Sequence, residues 1–320
     1  MASVAPRLLH VFLLLLAVSA LSFGLLSAAP GNFFDELRLN PNISPETVAA
    51  LKAEYGIDQP VPLRYLHWLS SIAHGDFGYS LSYRCPVGTL LWPRARNTLL
   101  LTGLSLLLAW IVAIPWGLFE AAKPESWFSR LGNSLTSTLL GIPELVLGLF
   151  LLLLAARTGW FPIGGMLSPN PASASLTWKL GEFARHLVLP VTALVLGSAP
   201  IFVRYVRSAV AEVLQAPFID HLRGQGIPMS RLLYRHALPV AANSLISLFG
   251  FSLGALLSTS LLIEVVLGWP GLGPLVLEAL LGRDIYLVMA IVVISSVFLV
   301  LGNLIADLLL YWSDPRIRTV

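Results

Sequence analysis

The sequence predicts an all-α integral membrane protein of six transmembrane helices, with a helical segment outside the bilayer between the first two. Three observations predict it. Hydrophobic residues make up 56% of the 320 and charged residues only 12%, against about 25% charge in soluble domains. Mean hydropathy is +0.79. The apolar residues fall in long runs, several near the roughly 20 needed to cross a bilayer, and the polar residues collect in a few connectors. A core cannot absorb so much apolar sequence with so little polar surface, so lipid is the natural solvent.

Charge and cysteine exclude other classes. The net charge is +3, and no basic patch interleaves with aromatics, so nucleic acid is not a partner. The single Cys85 leaves no internal disulfide framework and no cysteine metal site. No His-Glu-x-x-His, no Gly-x-Ser-x-Gly and no P-loop occurs, so the chain carries no readable metal site or catalytic constellation and hydrolyses no ATP itself.

The first apolar run, residues 8–29, follows Arg7. It exceeds the roughly 7–15 residues of a signal-peptide core and reads as an uncleaved first span; residues 1–29 form the first segment. Residues 30–96 read as a small extracytoplasmic helical segment. Ser44-Pro45 opens one helix, with Val48, Leu51 and Tyr55 on one face and Gly56 ending it. A second helix is expected over about 61–73, with Leu66, Leu69 and Ile72 on its apolar face. Both helices are expected to pack on the membrane domain. Residues 97–320 form a five-helix membrane domain with spans at 97–119, 131–156, 187–206 (broken by Pro190 and Pro200), 240–266 and 285–310. Prolines inside spans are tolerable because neighbouring helices satisfy the freed backbone groups.

Orientation follows from the basic residues. The loop after the fourth span, about 207–239, holds Arg207, Arg223, Arg231 and Arg235, with Arg204 just before it. Arg316 and Arg318 lie in the C-terminal tail, and Arg7 precedes the first span. With six spans these segments share one side, which the positive-inside rule makes cytoplasmic, with both termini.

That loop is the one polar island between long apolar runs. Pro217 suits the first turn of a helix, and Gly224 or Gly226 suits its end. Phe218, Ile219 and Leu222 share a face, flanked by Asp220 and Arg223. A helix of about two turns, roughly 12 Å long, is too short to be stable alone. Its apolar stripe fits either a groove on a partner protein or this chain's own helices. A further helix starts near Pro228 and runs into the fifth span, so force on the short helix reaches the membrane.

Several motifs occur in order along nearly the whole chain. They include Gly75-Asp76-Phe77-Gly78, Ser80 and Pro86-Val87, then Trp160 with Pro162 and Gly164-Gly165, then His186-Leu187 with Leu189-Pro190. Next come Arg204-Tyr205, Arg207-Ser208, Glu212-Val213-Leu214 and Gly226, separated by nine residues from His236-Ala237-Leu238-Pro239. Last are Glu264, Trp269-Pro270-Gly271-Leu272-Gly273, Arg283-Asp284, Asn303-Leu304 with Asp307, and Asp314-Pro315-Arg316. This ordered set resembles the ABC importer permeases of the dipeptide/oligopeptide/nickel branch, B type, with the glycine and terminal Leu-Pro of their EAA loop.

The resemblance implies the type I importer permease fold. It also implies ATP-driven alternating access that carries peptides, or a related small solute such as nickel, across a bacterial cytoplasmic (inner) membrane. It implies no cofactor on this chain; ATP and Mg sit on two ATP-binding partner subunits. A second, C-type permease subunit and an extracytoplasmic solute-binding protein complete the set. The ATPase-coupling residues it marks are Glu212, Phe218, Ile219, Asp220, Leu222, Arg223, Gly226, Leu238 and Pro239. The family's loop usually carries a lysine and small alanines; here they are absent, and Pro217 and Gly224 are extra, which points to a dedicated ATPase.

Two acids in apolar surroundings are candidates for the translocation pathway. Glu144, after Pro143 in the third span, lines the pathway and meets a cationic group, hydrogen-bonds a neighbouring helix, or is protonated, because a carboxylate at mid-bilayer costs at least a few kcal/mol. Glu264, at the outer end of the fifth span, is an outer gate or an interfacial residue. Asn303 and Asp307 read as interhelical glue. A stand-alone channel needs no docking helix, and an intramembrane enzyme needs paired catalytic groups at one depth, where only Glu144 stands.

Overall fold

The computed structural model describes residues 4–29, 46, 59–168 and 175–313. The helix expected from Ser44-Pro45 to Gly56, and the Asp314-Pro315-Arg316 tail, lie outside them. The helices are α1 Val4–Ala28, α2 Val61–Ala73, α3 Val87–Ala122, α4 Trp127–Leu140, α5 Glu144–Thr158, α6 Leu176–Leu214, α7 Pro217–Gly224, α8 Met229–Val266, α9 Leu272–Leu281 and α10 Ile285–Ser313. A two-stranded antiparallel hairpin, β1 Tyr79–Ser80 and β2 Cys85–Pro86, pairs Tyr79 with Pro86 and Ser80 with Cys85. Among the described residues five helices are long and apolar enough to cross a membrane, and a sixth span exists if the bent pair α4–α5 is one crossing.

The third run is not one continuous helix. It breaks at Gly141-Ile142-Pro143, and the two halves meet at 99°. Pro143 has no N–H and its ring excludes a preceding helical turn. The end of α4 therefore tightens, with Gly141 N–H donating to Thr138 O and Ile142 N–H to Leu139 O, both at 3.1 Å. The fourth run behaves in the opposite way. Pro190 and Pro200, expected to break it, sit inside one continuous 39-residue helix.

The chain divides into two compact units. One comprises Met1–Asn97 and Gly271–Val300. Its small core is Phe23 of α1, Trp68 of α2 and Met289 of α10. The buried face of α2 is the expected one only in part: Ile72 packs on this core and Leu69 is half-buried, but Leu66 is exposed and Arg64 and Trp68 are buried instead. The aromatic sizes decide this. Tyr65 and Trp68 lie against Phe23, with centroids 5.6 and 6.2 Å away, and the Arg64 guanidinium sits over the same ring at 5.6 Å, a cation–π arrangement.

Asp284 explains the Arg-Asp motif. It caps α10 by accepting the Leu287 N–H at 3.2 Å, and it accepts Ser80 Oγ–H at 2.7 Å and Ser82 N–H at 3.1 Å. One fully buried carboxylate thus ties the hairpin to the start of the last span. Asp284→Ala leaves these donors without an acceptor, and we expect a loss of about 1–3 kcal/mol. Asp284→Asn should lose less. Thermal unfolding in detergent checks both.

The other unit, Thr98–Pro270 with Leu301–Val320, holds the main core, built from α3, α5, α6, α8 and α7. Trp110 and Phe202 stack at 4.9 Å with ring planes 16° apart. Small residues let backbones approach, as expected between helices in lipid. A Cβ at Gly117 would lie 2.7 Å from the Val206 side chain and 2.9 Å from Val203 O.

Candidate functional sites

The expected docking helix exists and is short. Pro217 opens α7 in its first turn, and Gly226, at φ 76°, turns the chain out of it. Glycine holds that left-handed conformation at the least steric cost. Gly224 has no such role; it is the last helical residue. Asp220 and Arg223 pair at 3.0 Å on the exposed side, and His221 and Gln225 approach at 3.0 Å.

The apolar stripe is divided. Ile219 is fully buried in the main core and Leu222 packs partly against it, whereas Phe218 is 44% exposed. The alternative of packing on the chain's own helices is therefore realised for two of the three residues. Burying Ile219 contributes roughly 1.5–3 kcal/mol and anchors a helix that would not hold by itself. Phe218, Asp220 and Arg223 remain on the free side. Glu212 is exposed near the end of α6.

The next helix is continuous with a stretch long and apolar enough to cross a membrane. Met229–Arg231 leads through a π-helical turn, Leu232–Ala237, into Leu238–Val266. Pro239 accounts for the widened turn. It lacks the N–H that would meet Arg235 O, and the preceding Leu238 N–H reaches back five residues to Leu233 O. Leu238 is half-buried and Pro239 exposed. The His236-Ala237-Leu238-Pro239 motif thus marks a backbone adjustment on the path from α7 to the fifth span.

Beside α7 is a recess of about 610 Å³ whose wall includes Glu120, Arg207, Asp220, Arg223 and Met229. Glu120 is 1% exposed. It accepts the Trp116 indole N–H at 2.9 Å and faces Arg207 Nη1 at 3.5 Å, which also reaches Asn133 at 3.3 Å. Gly132 makes room: a Cβ there would lie 2.5 Å from Glu120 Oε1. This buried carboxylate links α3, α4 and α6. Sequence reading placed Glu120 in a polar connector and missed it; its spacing of four from Trp116 was the available signal.

Glu144 opens α5 just after the break and lines a cleft of about 500 Å³ between α4–α5, α6 and α8. Its side chain lies against Gly197, where a Cβ would come 2.9 Å from Oε1. Glu264 is not on this cleft wall. It is fully buried near the end of α8, and its carbonyl accepts Trp269 N–H at 2.8 Å. That carbonyl helps fold the turn that buries Trp269. Gly165 N–H donates to Gly268 O at 2.9 Å, so the Gly164-Gly165 turn meets the backbone just before Trp269. Glu264 is thus buried within the chain, away from the cleft that Glu144 lines. Among the described residues no three His, Cys, Asp or Glu side chains converge to hold a metal.

Comparison with known proteins agrees with this arrangement. Residues 113–319 match the family described as binding-protein-dependent transport system inner membrane component, and residues 2–92 match its N-terminal region. The oligopeptide transport system permease protein AppB of Bacillus subtilis is 35% identical over 99% of both chains. The dipeptide transport system permease protein DppB of Escherichia coli K12 is 32% identical, covering 95% of this chain and 94% of its own. Among solved structures, a chain of the inward-facing MetNI methionine ABC transporter superposes with a TM-score of 0.57 at 18% identity. That match covers 70% of this chain and 96% of that one. The shared fold is that of a type I importer permease.

Proposed function

This chain belongs to the family of binding-protein-dependent transport system inner membrane components and is the permease subunit of an importer; we propose that its cargo is a peptide or a related small solute. The names of its relatives support that cargo class. The bent pair α4–α5 makes one crossing, giving six spans with both termini in the cytoplasm. Two ATP-binding subunits, with ATP and Mg, drive alternating access. A C-type permease completes the membrane pair, and a solute-binding protein delivers cargo to the side of the hairpin.

One observation carries this reading. An eight-residue helix is fastened by Ile219 to its own core, presents Phe218, Asp220 and Arg223 outward, and leads directly into the rod of α8. A stand-alone channel has no use for such a lever. Expressed with its neighbouring subunits, the tagged chain should co-purify with an ATP-binding subunit in detergent; recovery without one contradicts the reading. Orientation has its own test. In a Cys85→Ser background, Gln225→Cys should react with an impermeant maleimide only after cells are opened. Labelling of intact cells would place the loop outside.

A further inference from the structure

The cleft at the break in the third span has a one-sided chemistry. Its walls are mainly apolar, from Ile142, Pro143, Ile201, Phe202 and Phe251 among others, and among the described residues no Lys, Arg or His lines it. Glu144 is the only charged residue among the described ones that do, and no described residue gives that carboxylate a hydrogen bond or an ion pair. The hydroxyls of Ser198 and Ser252 donate to their own helices, at Leu194 O and Leu248 O, so towards the cleft they offer oxygen lone pairs. The C-terminal end of α4, with its negative partial charge, also forms part of the wall through Leu139 and Leu140. These features favour a cation; Thr259 adds a hydroxyl that can donate or accept, and the positive pole of α5 is met by Glu144 itself.

The position of Glu144 keeps a negative charge affordable there. It is the first residue of a 15-residue helix, where the helix dipole favours a carboxylate. Gly197 leaves the side chain room against α6, since any larger residue would overlap Glu144 Cγ at 2.8 Å. One carboxylate with a few hydroxyls cannot supply the six or more oxygens of a hard metal cation. An organic ammonium, with an apolar body against apolar walls, fits. The volume is in the range of small-ligand sites.

We infer that Glu144 and this cleft form a transient site for the ammonium group of the cargo, held by charge-assisted hydrogen bonds as it passes. The inference rests on the importer reading and extends it to one residue and one chemical group. Position 251, on the same cleft and 72% exposed, reports on it. In the complete nucleotide-free complex, Phe251 is replaced by p-benzoylphenylalanine and photolysed with trialanine, N-acetyl-trialanine or N-acetyl-Ala-Lys-Ala. Trialanine should crosslink at least about tenfold more than its acetylated form, the value of one charge-assisted contact. Glu144→Gln should remove that excess and Glu144→Asp should keep it. Capture of the acetylated lysine peptide would show that a side-chain ammonium serves as well as an α-ammonium. Equal yields for free and acetylated trialanine, or an excess that survives Glu144→Gln, overturn the inference. Peptide uptake by the wild-type importer in vesicles is measured in parallel. Its absence would overturn the importer reading instead, whatever the crosslinks show.

Discussion

Replacing Phe218 by alanine together with Asp220 by arginine should abolish ATP-driven uptake while the chain still inserts and folds. Phe218 is the exposed aromatic of α7, and Asp220 pairs with Arg223 beside it. An aromatic anchor removed from the centre of an interface costs about 2 kcal/mol or more, roughly thirtyfold in affinity. Charge reversal turns an attractive pair into a repulsive one and changes the field any partner meets. Neither residue belongs to the core, so thermal stability in detergent should change little. Ile219→Asp is the contrasting control. It places a charge at a fully buried position and should prevent accumulation of folded protein. Normal uptake by the double variant would remove the docking role from α7.

Glu120→Ala should be the most damaging single change among the polar residues of the larger unit. It strands the Trp116 indole N–H and removes the counter-charge of Arg207. Breaking a buried pair costs 3–5 kcal/mol at the upper end. Arg207 is 35% exposed, which allows water to compensate, so about 2–3 kcal/mol is expected. Glu120→Gln keeps an acceptor for Trp116 and should fall between. Gly132→Ala should act on the same contact from the other side, because its Cβ would meet Glu120 Oε1 at 2.5 Å. The two changes together should therefore cost less than their sum. The measurement is the thermal midpoint of the purified complex; an unshifted midpoint for Glu120→Ala contradicts the structural role. The recess beside α7 is built on this pair, so uptake should fall as well.

The apolar runs were legible because crossing a bilayer demands length, and length survives without any tertiary information. The two ends of α7 were legible because proline and glycine carry backbone constraints of their own. Other features were not. Proline is tolerated in a span when neighbours satisfy the freed groups, so Pro190 and Pro200 inside a helix and Pro143 at a break look alike in sequence. Gly141 just before Pro143 is the local difference. Helix α9 is a ten-residue apolar stretch after Trp269-Pro270-Gly271, too short to read as a span. Helix α3 begins at Val87 and passes through the expected boundary at 97 without a stop. Periodicity placed Phe218, Ile219 and Leu222 on one stripe, but which of them faces the core depends on α8 and α6. The same limit hid Glu120, whose partner Arg207 lies 87 residues away.

The account depends on what Phe218 touches in the assembled importer. With p-benzoylphenylalanine at position 218 and irradiation of the complete complex in membranes, the account predicts an adduct with an ATP-binding subunit. That adduct should be lost when the ATP-binding subunits are omitted. Adducts confined to this chain or to lipid, with the ATP-binding subunits present, would contradict it.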